Sequence, residues 1–396
     1  MKIYSFALCA LGISALAACS LQNNGETENV GLCPDSFGTA EVDGAPIKLY
    51  TLRNQNGCVA QFTELGAKLV SLYVPDRQGK LGDVVLGYAT AAEYAKCDNK
   101  SGVGEPFYGA TIGRYGNRIA EGKFVLDSVE YTVDQNEGSN CLHGGHKGYY
   151  AQVFNANQQG DQKITFSRVS PDGEMGFPGN LDMSVTYELT DSNSIVISYK
   201  ATTDKPTVVN LTNHSFFNLA GEGDETINDE EILINADAIT PVDDKLIPTG
   251  ELMPVEGTPF DFRVAHLISD SLSSQHPQFV LGHGFDHNFV LSDSLDANGL
   301  RFAAEVHDFQ SGRVMRVFTS EPGVQFYAGN FQNGSEKGKS GKFYGHRSGL
   351  CLETQHFPNS PNIQSFPSVR LNPGETYSSV CVYAFSVLPT RSVRYF

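Results

Sequence analysis

The 396-residue sequence contains no tryptophan and only five methionines, and it is poor in basic residues: 28 Lys and Arg face 45 Asp and Glu, a formal charge of -17. Binding a phosphate backbone needs a cationic surface, so nucleic acid is excluded as a partner class. Beyond the first twenty residues charges interrupt every apolar run well short of membrane-spanning length, which excludes a multi-span helical membrane protein. No Cys-X-X-Cys pair exists, so a cysteine zinc site is not expected. There is no G-x-S-x-G nucleophile elbow. Gly334 to Ser340 (GSEKGKS) is one spacer short of a phosphate loop and lacks a strand-to-helix setting, so it reads as a solvated loop. His283 and His287 have the spacing of ligands on one helical face, but Gly282 and Gly284 argue against a helix. No metal is expected. Heptads, fixed-period repeats and long amphipathic helices are also missing.

What is present is apolar and aromatic. Hydrophobic residues make up 40% of the chain, with 25 Phe, 17 Tyr, 40 Gly and 18 Pro. Short runs alternate with period two, the pattern of half-buried strands. Ile195, Ile197 and Tyr199 fall on one face, with Ser198 and Lys200 on the other. Similar runs surround Phe124 to Leu126, Val129 to Val133, Val185 to Leu189 and Val380 to Phe385, and Asp127-Ser128 predicts a hairpin turn within 123–133. Thr90 to Lys96 predicts two helical turns capped by Thr90. Many strands with Gly and Pro punctuation and few helices imply a large all-β sandwich or barrel.

The first 18 residues are set apart from the fold. Lys2, an uncharged stretch from Ile3 to Ala18 and the ending Leu16-Ala17-Ala18-Cys19 have the form of a secretory signal. Leu-Ala-Ala-Cys resembles the lipobox of bacterial lipoproteins, in which the cysteine is acylated and becomes the first mature residue. The expectation is an exported protein anchored to the membrane through Cys19, on the periplasmic or cell-surface side. Residues 19–33 then form a lipidated tether and residues 34–396 a single domain. Six cysteines remain (Cys33, Cys58, Cys97, Cys141, Cys351 and Cys381), and an oxidising compartment permits pairing that spacing cannot assign.

Several polar residues stand in apolar or glycine-flanked surroundings: Asn117-Arg118 in TIGRYGNRI, His143 in NCLHGG, His214 in VVNLTNHSFFNL, Asp286 in GFDHNF and Glu353 in GLCLETQHF. Burying a carboxylate is costly unless it finds donors or lines a cavity. For Glu353 alone, a buried salt bridge to Arg118 or Arg347 explains the pattern as well as catalysis does. A lone histidine such as His214 is more often a satisfied core residue, and His143 before two glycines suits a turn. Together, however, these residues and Gln325 offer a base, a titratable acid and donors for hydroxyls, an inventory for proton transfer on a polyhydroxylated ligand.

The segments GRYGNRIAEGKF (113–124), LHGG (142–145), DGEMGFPGNL (172–181), NLTNHSFFNLAG (210–221), TPVDDKLIPTGEL (240–252), GTPFDFR (257–263), GFDHNF (284–289), EPGVQFYAGNF (321–331) and LETQHFPNSPN (352–362) resemble, in order, those of the aldose 1-epimerases. The resemblance implies a large twisted β-sandwich of the galactose mutarotase kind, an isomerase without metal or cofactor, and a free aldose as substrate. By motif, Glu353 resembles the catalytic base, His214 the acid and His143 a second active-site histidine. Asn117, Arg118, Asp286 and Gln325 match sugar-binding positions, and Ser215 and Phe216 adjoin His214. Asn359 stands where the family commonly has Asp, and Phe154 where it has Trp. The implied reaction has an ionised Glu353 (ordinary value about 4.3) and a protonated His214 acting from opposite sides of one pyranose. The rival reading is a surface-anchored sugar-binding module that kept the sandwich and lost the chemistry.

Overall fold

Period-two alternation becomes strand wherever the sequence shows it. In Ser194–Thr203 the side chains of Ile195, Ile197 and Tyr199 are buried while Lys200 is exposed. Lys123–Leu126 and Val129–Thr132 pair antiparallel, and the turn residues Asp127 and Ser128 take positive φ (49° and 64°), as a two-residue hairpin turn demands. The computed structural model describes residues 30–98 and 103–388 and is mostly β, 41% strand and 9% helix. The helix Ala91–Lys96 starts at a capping box: Thr90 Oγ1 accepts from Glu93 N, and the Glu93 carboxylate accepts from Thr90 N.

All the sheets are antiparallel, and they form layers rather than a closed barrel. The largest has nine strands in the order Asn155–Gln159, Lys163–Ser170, Leu181–Leu189, Ser194–Thr203, Tyr377–Val387, Arg313–Thr319, Arg301–His307, Glu231–Ile234 and His266–Leu267. A five-stranded sheet runs Met253–Pro254, Ala236–Ile239, Asp286–Leu291, Gly323–Tyr327, Cys351–Gln355. A third, of four strands, spans Tyr50 to Asp83. One contiguous core joins the three: Val185, Ile197 and Val317 from the first, Val324, Phe326 and Leu352 from the second, Phe62, Leu69 and Leu72 from the third. Two buried phenols cross between layers, Tyr383 Oη donating to Leu352 O (2.8 Å) and Tyr187 Oη to Ala67 O (2.9 Å). This is the large β-sandwich the sequence predicts. Phe154, the departure from the family's Trp, is buried in the same core with its ring edge-on to Tyr149.

The structure adds three details to the sequence reading. Gly334 to Ser340 is not a solvated loop throughout. The Lys339 side chain is buried, ion-pairs with Asp83 (2.8 Å) and donates to Val70 O and Val85 O, so its cation is committed to the fold. The six described cysteines are all free thiols. The packed chain also begins before residue 34, since Leu32 N donates to Gln61 Oε1 and Gln61 Nε2 donates to Leu32 O. Cys19 and the leader lie outside the described residues. Among the described residues no helix is long and apolar enough to cross a membrane.

Candidate active site

The pleat of the five-stranded sheet sorts its side chains by chemistry. Glu353 registers with Gln325, Gln325 with Asn288, and Asp286 with Tyr327. Partners in register share a face, and so do residues two apart. Glu353, Gln325, Tyr327 and Asp286 therefore point one way. Leu352, Phe326, Val324 and Phe289 point the other way, into the main core. Above the polar face lies the short strand Thr212–His214, paired with Ala110–Ile112. A third piece comes from Arg118–Ile119 paired with Cys141–Leu142. Just beyond it Asn117 and His143 clasp each other: His143 N donates to Asn117 O, and Asn117 N donates to His143 Nδ1, both at 3.1 Å. Both residues have positive φ (65° and 53°). Gly144 follows because a Cβ there would stand 2.1 Å from Gly113 O.

These pieces enclose a cavity of about 220 Å³ lined by Asn117, Arg118, His143, His214, Phe216, Asp286 and Glu353. At its floor His214 Nε2 is 3.6 Å from Glu353 Oε1. The two groups thus stand side by side, not on opposite sides of a ring as expected. The His143 ring meets that of His214 edge-on at 5.2 Å, and Phe107, Phe216 and Tyr327 pack around the imidazoles. Because Nδ1 of His143 accepts from an amide, its neutral ring carries the proton on Nε2 and offers it as a donor.

Glu353 has no salt bridge to Arg118 or Arg347. Arg118 instead grips Glu137 with two bonds of 2.7 Å, and Glu353 Oε2 is buried without a hydrogen-bond partner. An orphaned carboxylate oxygen beside an imidazole is the mark of a site rather than of a core ion pair. Burial pushes the Glu353 carboxyl well above its usual range, the neighbouring Asp286 adds to this, and Arg118 opposes it. Burial holds His214 down to about 4 and His143 well below its ordinary value. Burial therefore disfavours the charged form of both groups and works against the expected pair of ionised Glu353 and protonated His214.

Asp286 lines the cavity and is held by Gln325 Nε2 (2.7 Å). Ser215 and Gln325 are not on the cavity wall. Ser215 Oγ donates to Asn213 Oδ1 (2.6 Å), and Gln325 acts behind Asp286. Asn359 lies outside the cavity and fixes backbone: its N donates to Arg118 O, and its Oδ1 accepts from Ala120 N. Motif reading passed over Phe107, Glu137, Tyr327 and Phe331, which also line the cavity. The ligand atoms of His143, His214 and Glu353 lie within 4.8 Å of one another, a spacing that would suit a metal ion. The His143 tautomer argues against one, since a metal on Nε2 would force an Nδ1–H against the Asn117 N–H. His287 sits on the core face against Phe260, whereas His283 is exposed against Phe331, so that pair does not converge.

Residues 48–384 match the aldose 1-epimerase family. The chain belongs to the aldose 1-epimerase family. It is 45% identical over 351 residues to the galactose mutarotase of Rattus norvegicus, covering 89% of this chain and 97% of that protein. It is 39% identical over 345 residues to the aldose 1-epimerase of Escherichia coli K12, covering 87% and 96%. Among solved structures, the GalM/aldose epimerase homologue from C. elegans superposes with a TM-score of 0.77 at 30% identity, covering 86% of this chain and 99% of that one. For galactose 1-epimerase from Lactobacillus acidophilus the values are 0.75, 27%, 88% and 97%. In this aldose 1-epimerase family member Glu353, His214 and His143 line one cavity, although they come from three separate stretches of sequence.

Proposed function

We propose that this chain is an aldose 1-epimerase, interconverting the α and β anomers of a free aldohexose through the open-chain aldehyde. The observation that carries this is the 3.6 Å approach of His214 Nε2 to Glu353 Oε1 at the floor of a sugar-sized cavity. The anomeric hydroxyl and the ring oxygen are bonded to the same carbon, so an acid and a base that address both must stand side by side. Glu353 takes the proton of the anomeric hydroxyl while His214 gives one to the ring oxygen, and the C1–O5 bond breaks. Rotation about C1–C2 presents the other carbonyl face. The O5 hydroxyl then attacks C1, its proton returns to His214, and Glu353 returns a proton to O1.

Burial disfavours the ion pair from which the cycle starts, and opening the ring discharges that pair. Once the ring has opened, Glu353 holds a proton and His214 is neutral, so the site is tuned to its intermediate. Placing the ion pair in a dry cavity is costly, and this narrows the gap between the two states. His143 Nε2–H and Arg118 are the donors available to polarise oxygens at the reacting carbon. Asp286, steadied by Gln325, accepts from sugar hydroxyls.

Polarimetry of a freshly dissolved α-aldose tests this. Wild-type protein should speed anomer exchange over matched buffer. Glu353→Gln should lose about 10²- to 10⁴-fold in kcat while still binding sugar. Sugar affinity without any rate acceleration in the wild type would leave only the binding-module reading.

The motif at residues 16–19 supports a further part of the proposal, that the enzyme is exported and held at a membrane surface by acyl chains on Cys19. The sequence between Cys19 and the packed domain, residues 20–29, is short and polar. Two or more chains anchor stably where one is marginal. Mass analysis of the purified amino terminus should find an acylated Cys19, and an unmodified Met1 would remove the anchor.

A further inference from the structure

We propose that Cys351 is the positioning residue of the catalytic acid: its sulfur receives the Nδ1–H of His214 and so keeps Nε2, the nitrogen that meets the sugar, free to give up and take back a proton. This rests on the epimerase reading and deepens it, adding a residue that is not on the cavity wall.

Both nitrogens of the His214 ring are addressed from one strand. In Cys351–Gln355 the side chains of Cys351 and Glu353, two residues apart, rise from the same face. Cys351 Sγ lies 3.5 Å from His214 Nδ1, within hydrogen-bond reach of sulfur, and Glu353 Oε1 lies 3.6 Å from His214 Nε2. The imidazole is thus spanned by the base at one edge and a thiol at the other. Cys351 is fully buried. The rings of Phe107 (5.4 Å), Phe216 (5.0 Å), His143 (5.2 Å) and Tyr327 (6.4 Å) complete the surroundings. Among the described residues the other acceptor near Nδ1 is the carbonyl of His214 itself, and that oxygen already accepts from Gly109 N (3.1 Å).

The chemistry fixes which tautomer is needed. Nε2 must lose its proton to the ring oxygen and regain it when the ring closes, so Nδ1 has to carry the other ring proton throughout. Only then does the one mobile proton of the pair lie between Nε2 and the Glu353 carboxyl. In the opposite tautomer Nδ1 is bare, Nε2 is already protonated, and the neutral ring is a far weaker acid. Sulfur suits the place behind Nδ1. A carboxylate there, the orienting group of a Ser-His-Asp triad, would set a second buried negative charge beside Glu353 and hold the imidazole protonated. A thiol is a weak, uncharged acceptor that orients the ring without stabilising the imidazolium. Burial, with Glu353 adding to it, raises the Cys351 thiol well above its ordinary value, so it stays uncharged.

The experiment reads the tautomer directly, by NMR of nitrogen-15 histidine in the native protein, with His214 assigned by its loss in His214→Asn. Wild type should show a protonated Nδ1 and an unprotonated Nε2 at neutral pH. Cys351→Ala should mix the two tautomers and lower kcat for anomer exchange of glucose or galactose about tenfold, with KM changed less than about twofold. Cys351→Ser, which puts back an acceptor, should restore the Nδ1–H form and about threefold of the lost rate. Thermal unfolding checks that each variant folds; should the alanine variant fail, the wild-type and serine spectra decide. A wild-type Nδ1 without its proton, an alanine variant with wild-type kcat, or a fall in kcat with the tautomer unchanged overturns the assignment. A wild type that speeds neither sugar removes the epimerase reading instead, and the spectrum, which needs no turnover, tells the two failures apart.

Discussion

Glu353 and His214 illustrate how burial sets reactivity at single residues. Desolvation disfavours charge on both, raising the carboxyl and lowering the imidazole. Both shifts favour the neutral pair, with one proton between carboxyl and imidazole, which is the count that ring opening and closing require. The consequence for kcat/KM follows from the sign of the imidazole shift. His214 is held to about 4 against an ordinary 6.5, so acidification does not add a second proton to the pair until pH approaches 4. The pH profile of kcat/KM, measured by polarimetry in non-catalytic buffers, should stay level through pH 6.5 and fall only near pH 4 to 5, with apparent values belonging to the pair. A half-fall centred at 6.5 would mean a solvated imidazole and a different acid. Sequence could propose these two residues, because a carboxylate and a histidine in apolar runs are conspicuous. The motif also picked out Arg118 and not Arg114, four positions earlier in one glycine-rich segment. The structure gives the reason: Arg114 is consumed by Pro178 O, Gly179 O and Ser170 Oγ, whereas Arg118 faces the cavity. Sequence could not supply Glu137, whose partner is known only once the chain is folded.

Strands and turns were readable because their cause is local: alternation for Ser194–Thr203, a capping box for Ala91–Lys96, turn chemistry at Asp127-Ser128. Sheet order was not, since Ser194–Thr203 pairs with Tyr377–Val387, far along the chain. Cys351–Gln355 is buried on both faces, so alternation could not say which one carried the site. The segment containing Lys339 was misread for a related reason. Its glycines and charges suit solvent, but the partner Asp83 comes from the end of a distant strand. This latch also reaches the cavity rim: Glu336 accepts from Tyr88 Oη, which in turn accepts from Glu105 N, and Glu105 lines the mouth. Lys339→Met leaves Asp83 buried and unpaired and should destabilise the fold by about 3–5 kcal/mol in urea unfolding. Adding Asp83→Leu to it should recover part of that loss. A single variant as stable as wild type would show that the ion pair is not buried in solution.

For the molecule as a whole, the sandwich is held by its aromatic and aliphatic core and not by cross-links, since the six described cysteines are all free thiols. That bears on the proposed export, because free thiols survive in an oxidising compartment only when they are poor nucleophiles or out of reach. Here the fold supplies both protections. Burial pushes Cys58 and Cys381 up to about 11 and Cys141 up to about 12, and it raises Cys351 well beyond its ordinary range. Cys97 is only partly buried, but desolvation still raises it to about 11. Cys33 is the exception. Backbone hydrogen bonds from Ser36 and Asp35, at the start of the helix Pro34–Phe37, lower its value and favour the thiolate. Treating the native protein with iodoacetamide near neutral pH should therefore modify Cys33 first, with the other five reacting only after denaturation, as read by peptide mass analysis. Early modification of Cys141 or Cys381 would mean that the core opens far more readily than its packing implies. An unreactive Cys33 that becomes reactive only after reduction would reveal a disulfide, and with it a cross-link contributing about 2–4 kcal/mol to a fold that otherwise stands on its core.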